Sequence, residues 1–393
     1  MYPDLSYLFH DLFGTQPDNW TSIFKTFGLF LVLAILSAAF FFWKELKRKK
    51  EAGYYQPTLL KITEGEGPKP ADLIGSAVVG FLVGFKLLYI LQNFPEFQAD
   101  AAAVVMSTKG SWLGGILGAI AFAGFRYYER KKAELPQPTV RTETLWPHDR
   151  IGDLTVWAAL SGIAGAKLFA VIEDLPAFFA APIETFFSGS GLAIYGGWIG
   201  GFLGVVYYLY KNKIAFLPTA DAVAPALMVA YGVGRMGCQF SGDGDWGDPA
   251  GAQPDSWFLP DWMWGYTYPN NVARVGEQLP DCPYIYCREL TEAAYPTPFY
   301  EIVMAFALFG LMWALRKRIT APGAMFGLFV VLYGVERWVI EKIRINDEYN
   351  VLGMQLTQAE IISILFVLIG GAFMWWCYRT KEAHRPVAGR NGV

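Results

Sequence analysis

Three short stretches place arginines and carboxylates among glycines and apolar residues, where ionisable groups are costly and usually face a protein interior. The first is Tyr231-Gly232-Val233-Gly234-Arg235-Met236-Gly237-Cys238-Gln239-Phe240-Ser241-Gly242-Asp243-Gly244-Asp245-Trp246-Gly247. Arg235 offers five donors in a fork that suits a phosphate. Gly234 and Gly237 let backbone approach a ligand, and Asp243 and Asp245 can position Arg235 or act as bases. The second runs from Tyr333 to Arg344. There Arg337 and Glu341 are four apart and share a helix face, which Arg344 extends. The third is Tyr295-Pro296-Thr297-Pro298-Phe299-Tyr300-Glu301. Thr297 is expected to cap a helix with Pro298 in its first turn, which sets Glu301 one turn inside. Plainer readings exist: a membrane-exit turn with a snorkelling arginine, an ion pair that orients a helix, and a simple cap. If these ends converge with Tyr195-Gly196-Gly197, they make an arginine-lined, glycine-walled pocket. Two arginines with few balancing charges then suit a phospholipid headgroup, with apolar helix surfaces for its acyl chains.

The elements that must position them are membrane helices. Of 393 residues, 54% are hydrophobic, 17% aromatic and 17% charged, against about 25% charged in ordinary globular domains. Those values exclude a disordered chain, a disulfide framework and a typical cytosolic enzyme. A formal net charge of −3 offers no basic surface to nucleic acid. Spanning takes about 20 mostly apolar residues. Candidate runs are 26–43, 71–91, 111–128, 151–173, 192–210, 219–238, 298–315, 323–341 and 358–378. The expected fold is therefore an all-α polytopic membrane protein with about nine transmembrane helices.

Lysine and arginine concentrate in alternate loops: 44–50, Arg126 to Lys132, Lys211 and Lys213, Arg316 to Arg318, and the tail from Arg379. By the positive-inside rule the N-terminus lies outside and the C-terminus in the cytoplasm. The 239–297 segment then becomes a large, ordered external loop. Cys282 and Cys287 fall in it, either as a disulfide or as two free thiols. No cleavable signal peptide is expected, because a polar, acidic lead-in without a basic region precedes the first apolar run. No metal or cofactor set stands out among four cysteines and three histidines.

Ala71-Asp72-Leu73, Phe85-Lys86-Leu87 and Pro95-Glu96-Phe97 recur 81 residues on as Gly152-Asp153-Leu154, Ala166-Lys167-Leu168 and Pro176-Ala177-Phe178. With one residue inserted, Leu113-Gly114-Gly115 aligns with Tyr195-Gly196-Gly197. Both copies enter from the same side, so this reads as a parallel duplication of a helical hairpin. The expected organisation is 1–70 for an external segment, first span and cytoplasmic loop, 71–149 for an extra hairpin, 150–380 for the core and 381–393 for a tail.

Residues 150–380 resemble the prolipoprotein diacylglyceryl transferase family of bacteria. Gly234-Arg235-Met236-Gly237 looks like the family's GRxGN signature, and Tyr300-Glu301 like the end of its HPSQLYE motif. Arg337 with Glu341 resembles its R-x-x-x-E helix, with Arg344 and Asp347 where R-x-P-D is usual. Leu356-Thr357-Gln358-Ala359-Glu360 resembles the start of its last span, and Ile194-Tyr195-Gly196-Gly197 sits at its His-Gly-Gly. The resemblance implies an enzyme of the bacterial cytoplasmic membrane that moves diacylglycerol from phosphatidylglycerol to the lipobox cysteine of a lipoprotein precursor, without a cofactor. It implies Arg235, Arg337, Glu341, Asp243, Glu301 and Tyr195 as catalytic. Gly196, Gly197, Gly234, Gly237, Cys238, Asp245, Tyr300 and Arg344 would bind substrate. The family's two histidines are Tyr195 and Tyr295 here, its glutamine is Pro298, and its asparagine is Cys238. A tyrosine phenol, which titrates near pH 10, is a poor base at neutral pH. Proton abstraction then falls to Asp243, Asp245, Glu301 or Glu341.

Three alternatives stay open at this level. One is a divergent paralogue acting on another acceptor or phospholipid. The second is a lipid transporter or scramblase, for which Lys86 and Lys167 inside spans speak, unless they snorkel to the interface. The third is a non-catalytic lipid-binding relative.

Overall fold

The computed structural model describes residues 1–99, 101–182, 193–346, 348–351 and 353–380. The tail expected over 381–393, and Asp347, lie outside them. A short helix, α1 Leu5–Phe13, comes first, and long helices follow the apolar runs: α2 Thr26–Glu51, α3 Pro70–Gln92, α4 Trp112–Lys132, α5 Ile151–Glu173, α6 Ile194–Lys211, α7 Phe216–Ser241, α8 Thr297–Leu315, α9 Ala324–Glu341 and α10 Gln358–Thr380. Each of the nine expected runs is helical over most of its described residues. Among the described residues six helices are long and apolar enough to cross a membrane, namely α2, α3, α5 with the turn before it, α7, α8 and α10. The expected count of nine spans is thus not reached by this measure among the described residues. Glycine and tyrosine dilute α4 and α6, and α9 carries Glu336, Arg337 and Glu341 within eighteen residues.

The chain divides into two compact units, residues 57–213 and residues 1–56 with 214–393. In the first, α3 packs on α4 and α5 on α6. A Cβ on Gly84 would run into the Gly114 carbonyl, and one on Gly165 into the Gly196 carbonyl. These are matching positions of the two sequence copies, so the duplication is also a repeat of one close helix contact, the kind small residues permit between membrane helices. Strands β1 Thr58–Glu64 and β2 Thr139–Leu145 form an antiparallel ribbon, Thr58 opposite Leu145, ahead of each hairpin. Lys86 donates to the Val104 carbonyl at 2.9 Å and the Lys109 carbonyl at 2.8 Å. It therefore holds the 104–109 backbone. Lys167 is buried.

The second unit is built around α7. Its first half is rich in alanine, and Ala222, Ala224, Ala226 and Met228 are fully buried, which lets α2, α8 and α9 pack against it. Ala224 and Met228 meet Ala305 and Met312 of α8 and Met325 of α9. Buried Asp221 ties three helices together. It accepts from Lys49 Nζ of α2 at 3.1 Å and from the backbone N–H groups of Gly323, Met325 and Phe326 at the start of α9, at 2.9, 2.9 and 3.1 Å.

The 242–296 connection is ordered, as expected. Gly242 ends α7 at φ 65°, a left-handed cap that favours glycine. Asn271 is fully buried, and its amide donates to the carbonyls of Tyr268, Val275 and Arg288 at 3.0–3.1 Å. Cys282 and Cys287 are joined as a disulfide, which resolves that alternative. The N-terminal segment lies on the end of α7 and on this connection: Tyr2 N donates to Phe240 O at 2.8 Å, and Tyr286 N to Tyr7 Oη at 3.1 Å.

Candidate active site

Four carboxylates and three arginines meet where the ends of α7, α8 and α9 come together in the second unit. Their hub is Glu301, on the second turn of α8 and fully buried. Arg235 Nη2 lies 3.0 Å from Glu301 Oε1, Arg337 Nη1 3.8 Å and Arg344 Nη1 4.0 Å. Asp245 bridges two of these arginines. It pairs directly with Arg235 and accepts from Arg344 Nη2 at 3.0 Å. Burial raises the Asp245 carboxyl, but the two guanidiniums outweigh it and hold the group below the usual carboxylate range.

Glu341 pairs with Arg337 Nη2 at 2.9 Å, one helical turn away. Its other oxygen accepts from Asn346 Nδ2 at 2.6 Å and Thr357 Oγ1 at 2.8 Å. Thr357 ends the hairpin of β3 Glu348–Val351 and β4 Met354–Thr357. Tyr231, one turn before Arg235 on α7, donates to Glu301 Oε1 at 2.9 Å, with its ring 5.4 Å below the Arg235 guanidinium. Glu336 completes the set, 3.2 Å from the Tyr231 hydroxyl.

Two sequence expectations are corrected here. The arginines are not short of balancing charge, since Glu301, Asp245 and Glu341 each pair with at least one of them. A cluster of three bare cations in a low-dielectric interior would be too costly to fold. Nor does Thr297 cap α8 with its side chain. Its hydroxyl donates to the Asp245 carbonyl at 2.7 Å, tying the helix start to the loop that carries Asp245.

The remaining expected residues divide by position. Asp243 accepts from the Asp245 backbone N–H at 3.3 Å, so it shapes the turn that presents Asp245. Gly234 faces open space. Gly237 packs on Phe27 and Phe30 of α2, with contacts of 3.2–3.4 Å to an added Cβ. The Tyr300 hydroxyl donates to the Met263 carbonyl at 2.6 Å, toward the 242–296 connection. Tyr195, Gly196 and Gly197 belong to the other unit. Tyr195 stacks edge-on against Trp198 there, and Gly196 serves the α5–α6 contact.

Ligand atoms of Cys238, Asp243 and Asp245 lie within 4.8 Å of one another. Arg235 Nη1 reaches into this group, 3.8 Å from Cys238 Sγ. A fixed guanidinium already supplies the cation, so the trio reads as an arginine clamp rather than a metal site.

Several polar atoms of the cluster are buried without a hydrogen bond, among them Arg337 Nη1, Arg344 Nη1, Arg235 Nε and Glu301 Oε2. Unmade bonds of this kind are expensive in a core. They leave two guanidinium donors and one carboxylate acceptor beside one another, a set that can hold an anionic oxygen and accept a proton. Tyr231 and Glu336 were not singled out from the sequence. The available signals were the i, i+4 spacing of Tyr231 to Arg235 and the extra acid next to Arg337.

A family model described as prolipoprotein diacylglyceryl transferase matches residues 135–376. Similar proteins include two named phosphatidylglycerol–prolipoprotein diacylglyceryl transferase. One, from Pseudomonas putida strain F1, is 26% identical over 299 residues, covering 74% of this chain and 99% of the relative. The other, from Pseudomonas aeruginosa strain UCBPP-PA14, is 28% identical over 303 residues, covering 75% and 99%.

Proposed function

Because the chain belongs to the prolipoprotein diacylglyceryl transferase family, we propose that it transfers diacylglycerol from phosphatidylglycerol to the thiol of a lipoprotein precursor. The observation that carries this reading is the convergence of Arg235, Arg337 and Arg344 on one buried carboxylate, within the matched segment. The acceptor is the lipobox cysteine of the precursor's signal peptide. The enzyme is multi-pass in the bacterial cytoplasmic membrane, with its N-terminus outside, its C-terminus in the cytoplasm and the cluster at the outer face. The loop charges support that orientation. The core is 150–380; the hairpin over 71–149 is an addition, consistent with its lying mostly before the matched residues.

The chemistry follows from the charges. The free donors of Arg337 and Arg344 take the lipid phosphate, and Arg235 completes the electrostatic field. Glu301 Oε2 accepts the thiol proton, since the thiolate is the nucleophile. The sulfur then forms a bond to the glycerol carbon. The carbon–oxygen bond to phosphate breaks with its electron pair on oxygen, and glycerol phosphate leaves. Glu341 and Asp245 hold the arginines in place, and Asp243 holds the Asp245 turn. Gly234 and Gly237, with Tyr300, shape the surroundings. Cys238 takes no covalent part, because diacylglycerol on its sulfur would be a stable thioether.

The transporter reading loses support, since Lys86 is engaged by backbone carbonyls. The test mixes purified protein, phosphatidylglycerol vesicles and a lipobox peptide, and seeks diacylglyceryl-peptide and glycerol phosphate by mass spectrometry. Product that vanishes in Arg235→Gln supports transfer. Absence of product from protein that still binds the lipid overturns it in favour of a binding relative.

A further inference from the structure

The Tyr231 hydroxyl lies 2.9 Å from Glu301 Oε1 and 3.2 Å from Glu336 Oε1. A phenol carries one proton and can donate it to one acceptor only. The second contact is a hydrogen bond only if that carboxyl brings a proton of its own. Three guanidiniums face Glu301, which makes it the anion. Glu336 is 3% exposed and forms no ion pair among the described residues. Arg337, its neighbour in sequence, turns to Glu301 and Glu341 instead. The three arginines are balanced by Glu301, Glu341 and Asp245, so a fourth anion has no partner, and a buried charge without one neutralises. The other titratable group packed at this point is Tyr333, whose ring meets that of Tyr231 edge-on at 5.4 Å.

We propose that Glu336 is kept as a neutral carboxylic acid that donates to Tyr231, while Tyr231 donates to Glu301 and so fixes Glu301 as the anionic proton acceptor of the site. Glu336 is a positioning residue, acting through Tyr231. The proposal rests on the transferase reading and gives it a pH dependence. As pH rises and Glu336 ionises, the Tyr231 link loses its proton donor, and a fourth anion opposes the lipid phosphate. Activity therefore falls on the alkaline side.

The test uses the full chain in lipid nanodiscs. Infrared spectra at a pH of about 6 are expected to show the carbonyl band of a protonated carboxyl group that Glu336→Gln removes. A glutamine amide donates as the acid does and cannot ionise. Glu336→Gln should therefore transfer diacylglycerol to the lipobox peptide within about threefold of wild type at neutral pH and hold that activity further into alkali. Tyr231→Phe, which cuts the link, should lose at least about tenfold, below the 10²-fold and more typical of a proton-transfer group itself. A spectrum unchanged by Glu336→Gln overturns the proposal, as does a loss of about 100-fold in that variant at neutral pH. If wild-type protein makes no product, the transferase reading fails, and the infrared band alone decides the protonation of Glu336.

Discussion

Glu301→Gln should separate lipid binding from chemistry by moving them in opposite directions. The substitution keeps the side chain's shape and an oxygen for Tyr231 and Arg235. It removes the one negative charge that three guanidiniums share at 3.0, 3.8 and 4.0 Å. At an effective dielectric of about 20, each such pair is worth about 4–6 kcal/mol before solvation is counted. Most of that is offset by the carboxylate's own desolvation. Breaking a buried pair costs about 3–5 kcal/mol net, and the retained amide hydrogen bonds should bring the loss in stability toward about 2 kcal/mol.

The cluster is then left with one excess positive charge. A lipid phosphate placed against Arg337 Nη1 and Arg344 Nη1 supplies the missing anion, and about 1.4 kcal/mol recovered this way is a tenfold gain in affinity. With no acceptor for the thiol proton, transfer should fall by 10²–10⁴, the usual range for a lost general base. The assay pairs lipid binding, by tryptophan quenching with phosphatidylglycerol and zwitterionic vesicles, with mass-spectrometric turnover. Phosphatidylglycerol should also raise the unfolding temperature of the variant by more than that of wild type. Weaker phosphatidylglycerol binding in the variant, or turnover within tenfold of wild type, would refute the reasoning.

The remaining predictions concern other parts of the fold. Asp221→Asn leaves Lys49 buried without its counter-ion and weakens the cap on α9, so it should cost about 3–5 kcal/mol in thermal unfolding. Lipid binding in that variant should survive, because Asp221 lies about 20 Å along α7 from Arg235 at 1.5 Å per residue. Replacing Cys282 and Cys287 together by serine opens a short loop and should cost about 2 kcal/mol by chain entropy, read as an earlier denaturation midpoint. Asp245 is depressed below its unfolded value by Arg235 and Arg344. Its contribution is therefore present above a pH of about 4 and lost as pH falls through its folded value. The difference in unfolding temperature between wild type and Asp245→Asn should thus be constant from neutral to mildly acidic pH and close only below that. Gly165→Val drives a side chain into the Gly196 carbonyl and should loosen the α5–α6 hairpin by about 1–3 kcal/mol, visible as faster proteolysis there.

The helices were legible because an apolar run of spanning length has few other solutions. The run at 323–341 is the helix Ala324–Glu341, and 71–91 is Pro70–Gln92. The β1–β2 ribbon was not legible. Its strands lie more than seventy residues apart and mix charged with apolar side chains, so no local period marks them. Arg337 and Glu341 were readable as an i, i+4 pair. Their union with Arg235, Arg344 and Glu301 was a guess about convergence that only tertiary structure tests. Sequence could not choose between Asp243 and Asp245. Gly244, at φ 102°, turns the chain so that Asp245 reaches the arginines while Asp243 holds the turn. Tyr231 and Glu336 are hard to read from sequence, because one looks like ordinary span content and the other like a stray acid.

The balanced charge of the cluster bears on turnover as well as folding. An unbalanced trio of arginines would bind lipid phosphate and released glycerol phosphate alike, and uniform binding of that kind does not speed the chemical step. Here each guanidinium already spends part of its fork on Glu301, Asp245 or Glu341, and only single donors such as Arg337 Nη1 and Arg344 Nη1 remain free. Those donors gain most when negative charge grows on the departing phosphate oxygen. They also lose most of their hold once a proton, handed on from Glu301, reaches that oxygen. The same carboxylate that lets three arginines fold into an apolar interior thereby also takes the thiol proton and helps release the product. No histidine is needed for either task, provided that Glu301 stays charged between turnovers. Keeping it charged is the work that the geometry assigns to Tyr231 and Glu336.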